Sequence, residues 1–222
     1  MRAFAVTDLV AHERRQVIDP AKCNACHNDL AFHGGSRRGA AYCVMCHNPE
    51  NANNERIARR EGSTVLAESV DLRVMIHKIH RGEELSQPYV LGAFPVPTVA
   101  NPAGTQENFA EVRYPRKRSD CVACHQAGTF ALPAPSRAPS ILQELTCTEV
   151  PGADADNFCT SPFWNVTQTF RLAPETAACT GCHDQTFVLA HAIVNTTALG
   201  VEACATCHGP GKDYDVATVH AK

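Results

Sequence analysis

From about Val70 to Arg81 the hydrophobic and polar positions of this chain keep a helical period. Apolar Leu72, Ile76 and Ile79, with Val74 and Met75 adjacent, mark a buried side, and Gly82 is a natural stop. A polar segment around Asn54 to Arg60 is also predicted helical. Elsewhere the pattern fades. From Gln87 to Thr105 the chain is rich in Pro and Gly with little period of either kind, so a long loop wrapped on a surface is expected. Ala131 to Ser140 is proline-dense and reads as extended. No apolar run approaches the roughly 18 to 20 residues of a membrane helix, so no direct membrane span is expected. Short helices joined by long irregular loops, with little or no sheet, is the architecture this pattern predicts.

Composition changes the picture in one respect. Twelve cysteines stand against one Trp and four Tyr, so few large aromatic groups are left to fill an ordinary core. Something else must occupy the interior. The net charge is −3 with the signs interspersed, which argues against nucleic acid as a partner. The first residues, Met1 to Asp8, lack the apolar core and cleavage site of a secretory signal. A processed chain, an expressed segment or a fragment is the expectation.

The cysteines carry the chemistry. Cys23-x-x-Cys26-His27 and Cys43-x-x-Cys46-His47 form one close pair, Cys121-x-x-Cys124-His125 stands alone, and Cys179-x-x-Cys182-His183 and Cys204-x-x-Cys207-His208 form a second close pair. Cys-x-x-Cys-His is the signal for covalent haem c. Two thiols three positions apart reach the two vinyl groups of one haem, and the next imidazole can bind the iron. One copy would also fit a redox dithiol or half a zinc site. Five copies, each with its histidine, favour five covalently attached haem c groups.

Two cysteines remain, Cys147 and Cys159. Neither is followed by histidine, they sit in a segment read as loop, and a disulfide is the economical assignment, with two unpaired thiols as the alternative. Closing that loop is worth about 3 kcal/mol in the chain-entropy model. Haem attachment and a disulfide both indicate an oxidising compartment outside the cytoplasm.

Six histidines lie outside the repeats: His12, His33, His77, His80, His191 and His220. They face five open iron positions. His12 lies in the charged run His12-Glu13-Arg14-Arg15, which suits a solvated segment, so the expected set is His33, His77, His80, His191 and His220. His77 and His80, three apart on the predicted helix, would serve two separate irons from one face. Five bis-histidine haems leave no open coordination site for catalysis at the metal. With 222 residues for five macrocycles, the haems must lie in near contact and relay electrons, while the protein sets ligands and geometry. The clusters Arg37-Arg38, Arg59-Arg60 and Arg116-Lys117-Arg118 read either as solvated charge, as partners for haem propionates, or as docking charges for an anionic partner.

Three stretches carry a resemblance: Cys23 through His27-Asn28-Asp29-Leu30-Ala31-Phe32-His33-Gly34-Gly35, then Tyr42 to Pro49, then Met75-Ile76-His77-Lys78-Ile79-His80-Arg81-Gly82. With Tyr114-Pro115, Leu132-Pro133, Cys204 to Gly211 and Val219-His220, they resemble a pentahaem domain of the OmcA/MtrC family of outer-surface decahaem cytochromes. The resemblance runs from Lys22 onward. It implies a multihaem cytochrome c fold of short helices and loops around a close-packed haem core, and it supports the same five distal histidines. It implies electron transfer to minerals, soluble shuttles or other multihaem cytochromes at the cell surface. Family members join two such domains with β-barrel domains, whereas this chain carries one haem set. The expected organisation is a lead-in segment, 1–21, and a single pentahaem domain, 22–222, working alone or with other cytochromes or copies of itself. The competing readings are a periplasmic multihaem reductase with one open haem, and a polymerising subunit in which the spare His12 serves a neighbour.

Overall fold

The computed structural model describes residues 4–11, 16–51, 68–93, 105–132, 140–149 and 164–221, with backbone alone at 93, 142–149 and 164–170. Its central element is helix α3, Leu72–Arg81, preceded by α1 (Pro20–His27) and α2 (Ala40–Cys43). The helix forms where the sequence predicts it, and its ends have clear causes. Asp71 caps the first turn by accepting from the Arg73 N–H. Lys78, His80 and Arg81 complement the dipole in the last turn. Gly82 then turns the chain at φ +38°, where a Cβ would run into the Val112 carbonyl, so only glycine fits.

Two small clusters pack on α3. Val70 and Met75 meet Tyr89, with Leu72, Ile76, Ile79 and Phe109 around them. On another side Val74 meets Ile141, Leu172 and Ala177. Tyr89 is fully buried, and its hydroxyl donates to the Ser69 carbonyl at 2.7 Å. Lys78 reaches Glu68 at 2.7 Å and stands 5.2 Å over the Tyr89 ring.

The strands are paired ribbons. β1 (Ala31–Phe32) pairs antiparallel with β2 (Arg37–Arg38), β3 (Val90–Ala93) with β4 (Thr105–Asn108), and β5 (Ile141–Glu149) with β6 (Trp164–Leu172). No sheet exceeds two strands among the described residues. The remaining described residues are short helix and loop, with α4 (Pro174–Thr180), α5 (Thr186–Val194), α6 (Ala205–His208) and α7 (Val216–His220).

Two local expectations change. Within Gln87 to Thr105, read as loop, Val90–Ala93 is a strand, held because Tyr89 and Phe109 meet across the ribbon at 5.8 Å between ring centres. Cys147, read as lying in a loop, is in β5 opposite Val166. Cys159, and the segment Asn54 to Arg60 predicted helical, lie outside the described residues.

Candidate cofactor sites

Each repeat is wound as a turn of helix, which brings two thiols and an imidazole to one side of the backbone. The first lies in α1, where Pro20 opens the helix and the Asp19 carboxylate accepts from Ala21 N–H at 3.0 Å. In the other four, the histidine N–H donates to the carbonyl of the first cysteine at 2.9 Å: His47 to Cys43, His125 to Cys121, His183 to Cys179 and His208 to Cys204. None of the ten repeat cysteines forms a disulfide. Burial first, then the carboxylates of Glu202 and Glu175, pushes Cys204 up to about 12. Cys23, Cys121 and Cys182 are also raised, by burial foremost. These are not the low-pKa thiols of a redox dithiol. Among the described residues no three His, Cys, Asp or Glu side chains converge to hold a metal ion, as a zinc site would require.

The histidines meet in pairs, one from a repeat and one from outside. Ring centres are 5.9 Å apart for His27 and His80, 6.2 Å for His47 and His33, and 6.0 Å for His125 and His77. They are 6.0 Å apart for His183 and His220, and 6.2 Å for His208 and His191. Every repeat histidine has one such partner. The interplanar angles scatter from 17° to 85°, so ring stacking does not govern the contacts. Imidazole nitrogen binds a transition metal at about 2 Å, and with a ring radius of roughly 1 Å on each side, two rings on one ion stand about 6 Å apart. The spacing therefore fits one metal between each pair.

Protonation fits as well. Nδ1 of His47, His80, His208 and His220 lies 3.0, 2.9, 3.2 and 2.8 Å from the carbonyls of Val70, Ile76, Tyr214 and Val216. A carbonyl only accepts, so Nδ1 carries a hydrogen and Nε2 is the nitrogen left to face a metal. The His77 imidazole is pushed down to about 4, by burial first and then by His125 and His80. Burial likewise leads the downward shifts of His47 and His183. His33 is held in the left-handed region at φ 54°, at the head of a turn continued by Gly34 and Gly35 between β1 and β2. That strain, of order 1 to 3 kcal/mol, is of the kind that clusters at ligand clamps. His12 lies outside the described residues.

The α3 helix sends His80 to the first repeat and His77 to the third. These two repeats are also sewn together directly, because Lys22 Nζ donates to the Val122 and His125 carbonyls at 2.8 Å each, and Ile18 bridges to His125. Residues 17–19 are thus built into the fold. The second repeat adjoins the start of α3, with Leu72 N–H on the His47 carbonyl at 3.1 Å. The fourth repeat rests on α3, since a Cβ on Gly181 would stand 2.8 Å from the His77 Cβ. Fourth and fifth are tied by Glu202, whose carboxylate accepts from Glu175 N–H at 2.8 Å and from Thr176 N–H and hydroxyl at 2.6 Å each, capping α4 from outside. Sequence reasoning did not find Lys22, Gly181 or Glu202. Only Gly181 left a signal, as a glycine inside an attachment loop.

A cleft of about 370 Å³ opens at the first site, lined by Cys26, His27, Ile79, His80, Phe109 and Tyr114 among others. Tyr114 meets His80 edge-on at 5.5 Å. Phe32, Met45, Val122, Phe187 and Tyr214, each in or near a repeat or its partner histidine, are exposed. The arginine clusters are partly accounted for within the chain: Arg38 pairs with Asp29, Arg116 with Asp120 and Arg118 with Glu84.

A chain with repeated attachment turns and, among its described residues, short helices, loops, few buried apolar side chains and no sheet beyond two strands is a multihaem c-type cytochrome. It belongs to the outer membrane cytochrome MtrC/MtrF-like family, whose model for domains II/IV matches residues 15–221. No curated protein sequence matches the chain. Among solved structures, the crystal structure of the outer membrane decaheme cytochrome OmcA is similar in fold, with a TM-score of 0.50 and 21% identity over 94% of this chain. The match covers 24% of that protein, so the chain spans about a quarter of its length. No helix among the described residues is long and apolar enough to cross a membrane.

Proposed function

We propose that the chain is a relay module of five bis-histidine haem c groups in extracellular respiratory electron transfer. It would exchange electrons with other multihaem cytochromes or copies of itself, and through them with mineral surfaces or soluble shuttles. The observation that carries this is the one-to-one pairing of five repeat histidines with five others at 5.9 to 6.2 Å. Bound haem supplies one-electron redox chemistry. The chain's own part is to tether each group through two thioethers and to orient two imidazoles on its iron.

The ligand sets in this reading are His27 with His80, His47 with His33, His125 with His77, His183 with His220, and His208 with His191. The backbone bonds at Nδ1 of His47, His80, His208 and His220 fix the tautomer and rotation of those four rings. The contacts between repeats favour the run first, third, fourth, fifth, with the second beside the start of α3. Near contact, not a conducting side chain, is what such an order requires of the protein. A reductase with one open haem finds no support in the pairing, because no repeat histidine lacks a partner ring. In this reading residues 22–222 form a single pentahaem domain after the lead-in segment 1–21, and the Cys147–Cys159 disulfide remains part of the proposal. Alkylation without reductant should label neither thiol.

The holoprotein should exceed the polypeptide mass by five haems and give wholly low-spin ferric spectra. His77→Ala and His80→Ala should each turn one haem high-spin, and a different one. Fewer than five haems, a carbon monoxide-binding fraction in the unsubstituted protein, or the same haem perturbed by both variants would overturn the assignment.

A further inference from the structure

The C-terminal end of α3 carries a charge cluster that the ligand scheme leaves unused. Arg81 stands one turn beyond His77, on the same face of the helix. Its guanidinium reaches Glu84 at 3.3 Å, and Arg118 donates to the same carboxylate at 2.8 Å. Two guanidinium groups therefore share one carboxylate, and positive charge is left over. The Nε of Arg81 is buried and has no acceptor, and the same holds for the hydroxyl of Ser119, the residue after Arg118. A buried donor left unsatisfied is costly, more so when it is charged. The cluster bears on Cys182 and His183 of the fourth site. It also adjoins the third, where Cys121 Sγ lies 3.5 Å from the Ser119 carbonyl. Asp184 is the competing acid: its Oδ2 takes the Ser86 and Gln87 N–H groups and the Ser86 hydroxyl, at 2.6, 3.2 and 2.8 Å, while its buried Oδ1 has no partner. It makes no ion pair with Arg81 among the described residues.

We propose that Arg81, with Arg118 and the Ser119 hydroxyl beside it, seats a haem propionate at the junction of the third and fourth sites. This rests on the five-haem reading. The planar guanidinium matches a carboxylate with paired donors, and a propionate is the carboxylate the cofactor itself brings. Neutralising the propionate's negative charge in this way would favour the reduced state of that haem.

The test is potentiometry of the holoprotein with each low-spin haem followed separately. Arg81→Gln should lower the equilibrium constant for reduction of one haem about tenfold, which is about 59 mV for a one-electron couple, and Arg81→Lys should restore most of it. Repeating Arg81→Gln with the third site marked high-spin by His77→Ala, or the fourth by His220→Ala, tells whose propionate is held. Arg38→Gln, which removes a cation of β2 paired with Asp29, should leave the potentials in place. The proposal is overturned if Arg81→Gln moves no potential, or moves all five equally. Should Arg81→Gln fail to mature, Arg118→Gln and Ser119→Ala must lower the same single potential for the proposal to stand. Fewer than five haems would sink the reading beneath; five haems with unmoved potentials would sink this proposal alone.

Discussion

At the scale of single residues, the motif spacing makes ten cysteines and five histidines legible without any structure, because attachment is a local geometry of five consecutive positions. The partners of those histidines are a different matter. His27 meets His80 and His125 meets His77 across long stretches of chain, and the sequence yields the candidates by counting but not the pairs. Least legible are the side chains that hold one site against another. Gly181 is the clearest case, since it belongs to the fourth repeat but touches the His77 that faces His125 of the third. A Cβ there would stand 2.8 Å from the His77 Cβ and 3.4 Å from its Nδ1. Gly181→Ala should cost about 1 to 3 kcal/mol through overpacking. It should shift the electron paramagnetic resonance g-values of the third-site haem, where His77→Ala acts, more than those of the fourth, where His220→Ala acts. A change confined to the fourth would show that the contact does not set the ligand.

At the scale of elements, α3 was readable because its apolar period, its Asp71 cap and its Gly82 stop all agree. The ribbons were not. Val90-Leu91-Gly92-Ala93 and Thr105-Gln106-Glu107-Asn108 show no alternation, and their pairing comes from ladder bonds and from Tyr89 on Phe109. The last helix, α7, is five residues long and depends on its cap more than a longer helix would. Asp215 accepts from the Gly211 and Ala217 N–H groups at 3.0 and 2.9 Å, and these bonds hold its carboxyl below the ordinary range. A carboxyl depressed on folding stabilises the folded state above its unfolded value, and that contribution is lost as pH falls through the folded value. Asp215→Ala should therefore fray α7 at neutral pH and let His220 leave its site part of the time. One haem should gain a high-spin fraction, absent from the unsubstituted protein until the pH falls below the carboxylate range. If the spectra of the two proteins coincide at every pH, the cap does not hold the ligand.

At the scale of the whole molecule, the shortage of aromatic residues has its counterpart in the packing. The buried apolar side chains among the described residues are Val70, Val74, Met75, Tyr89, Ile141, Leu172 and Ala177, gathered around one helix. Each contributes about 1.5 to 3 kcal/mol at most through burial, whereas ordering a residue costs about 1 to 2 kcal/mol of backbone entropy. Those seven side chains alone cannot offset the ordering of the described residues. Meanwhile Phe187 on α5 beside His191, and Tyr214 at 6.1 Å from His208, lie open to solvent. Under the five-haem reading, these surfaces and the first-site cleft are where the macrocycles pack, and the cofactors form the core. The chain produced without haem attachment should therefore lose the cooperative thermal unfolding transition and most of the helical circular dichroism of the holoprotein. Its far-ultraviolet signal would change gradually on heating, and its exposed apolar surface would bind a hydrophobic dye. A sharp two-state transition in the haem-free chain, with helix content equal to that of the holoprotein, would mean that the polypeptide folds on its own contacts and that haem enters a finished structure.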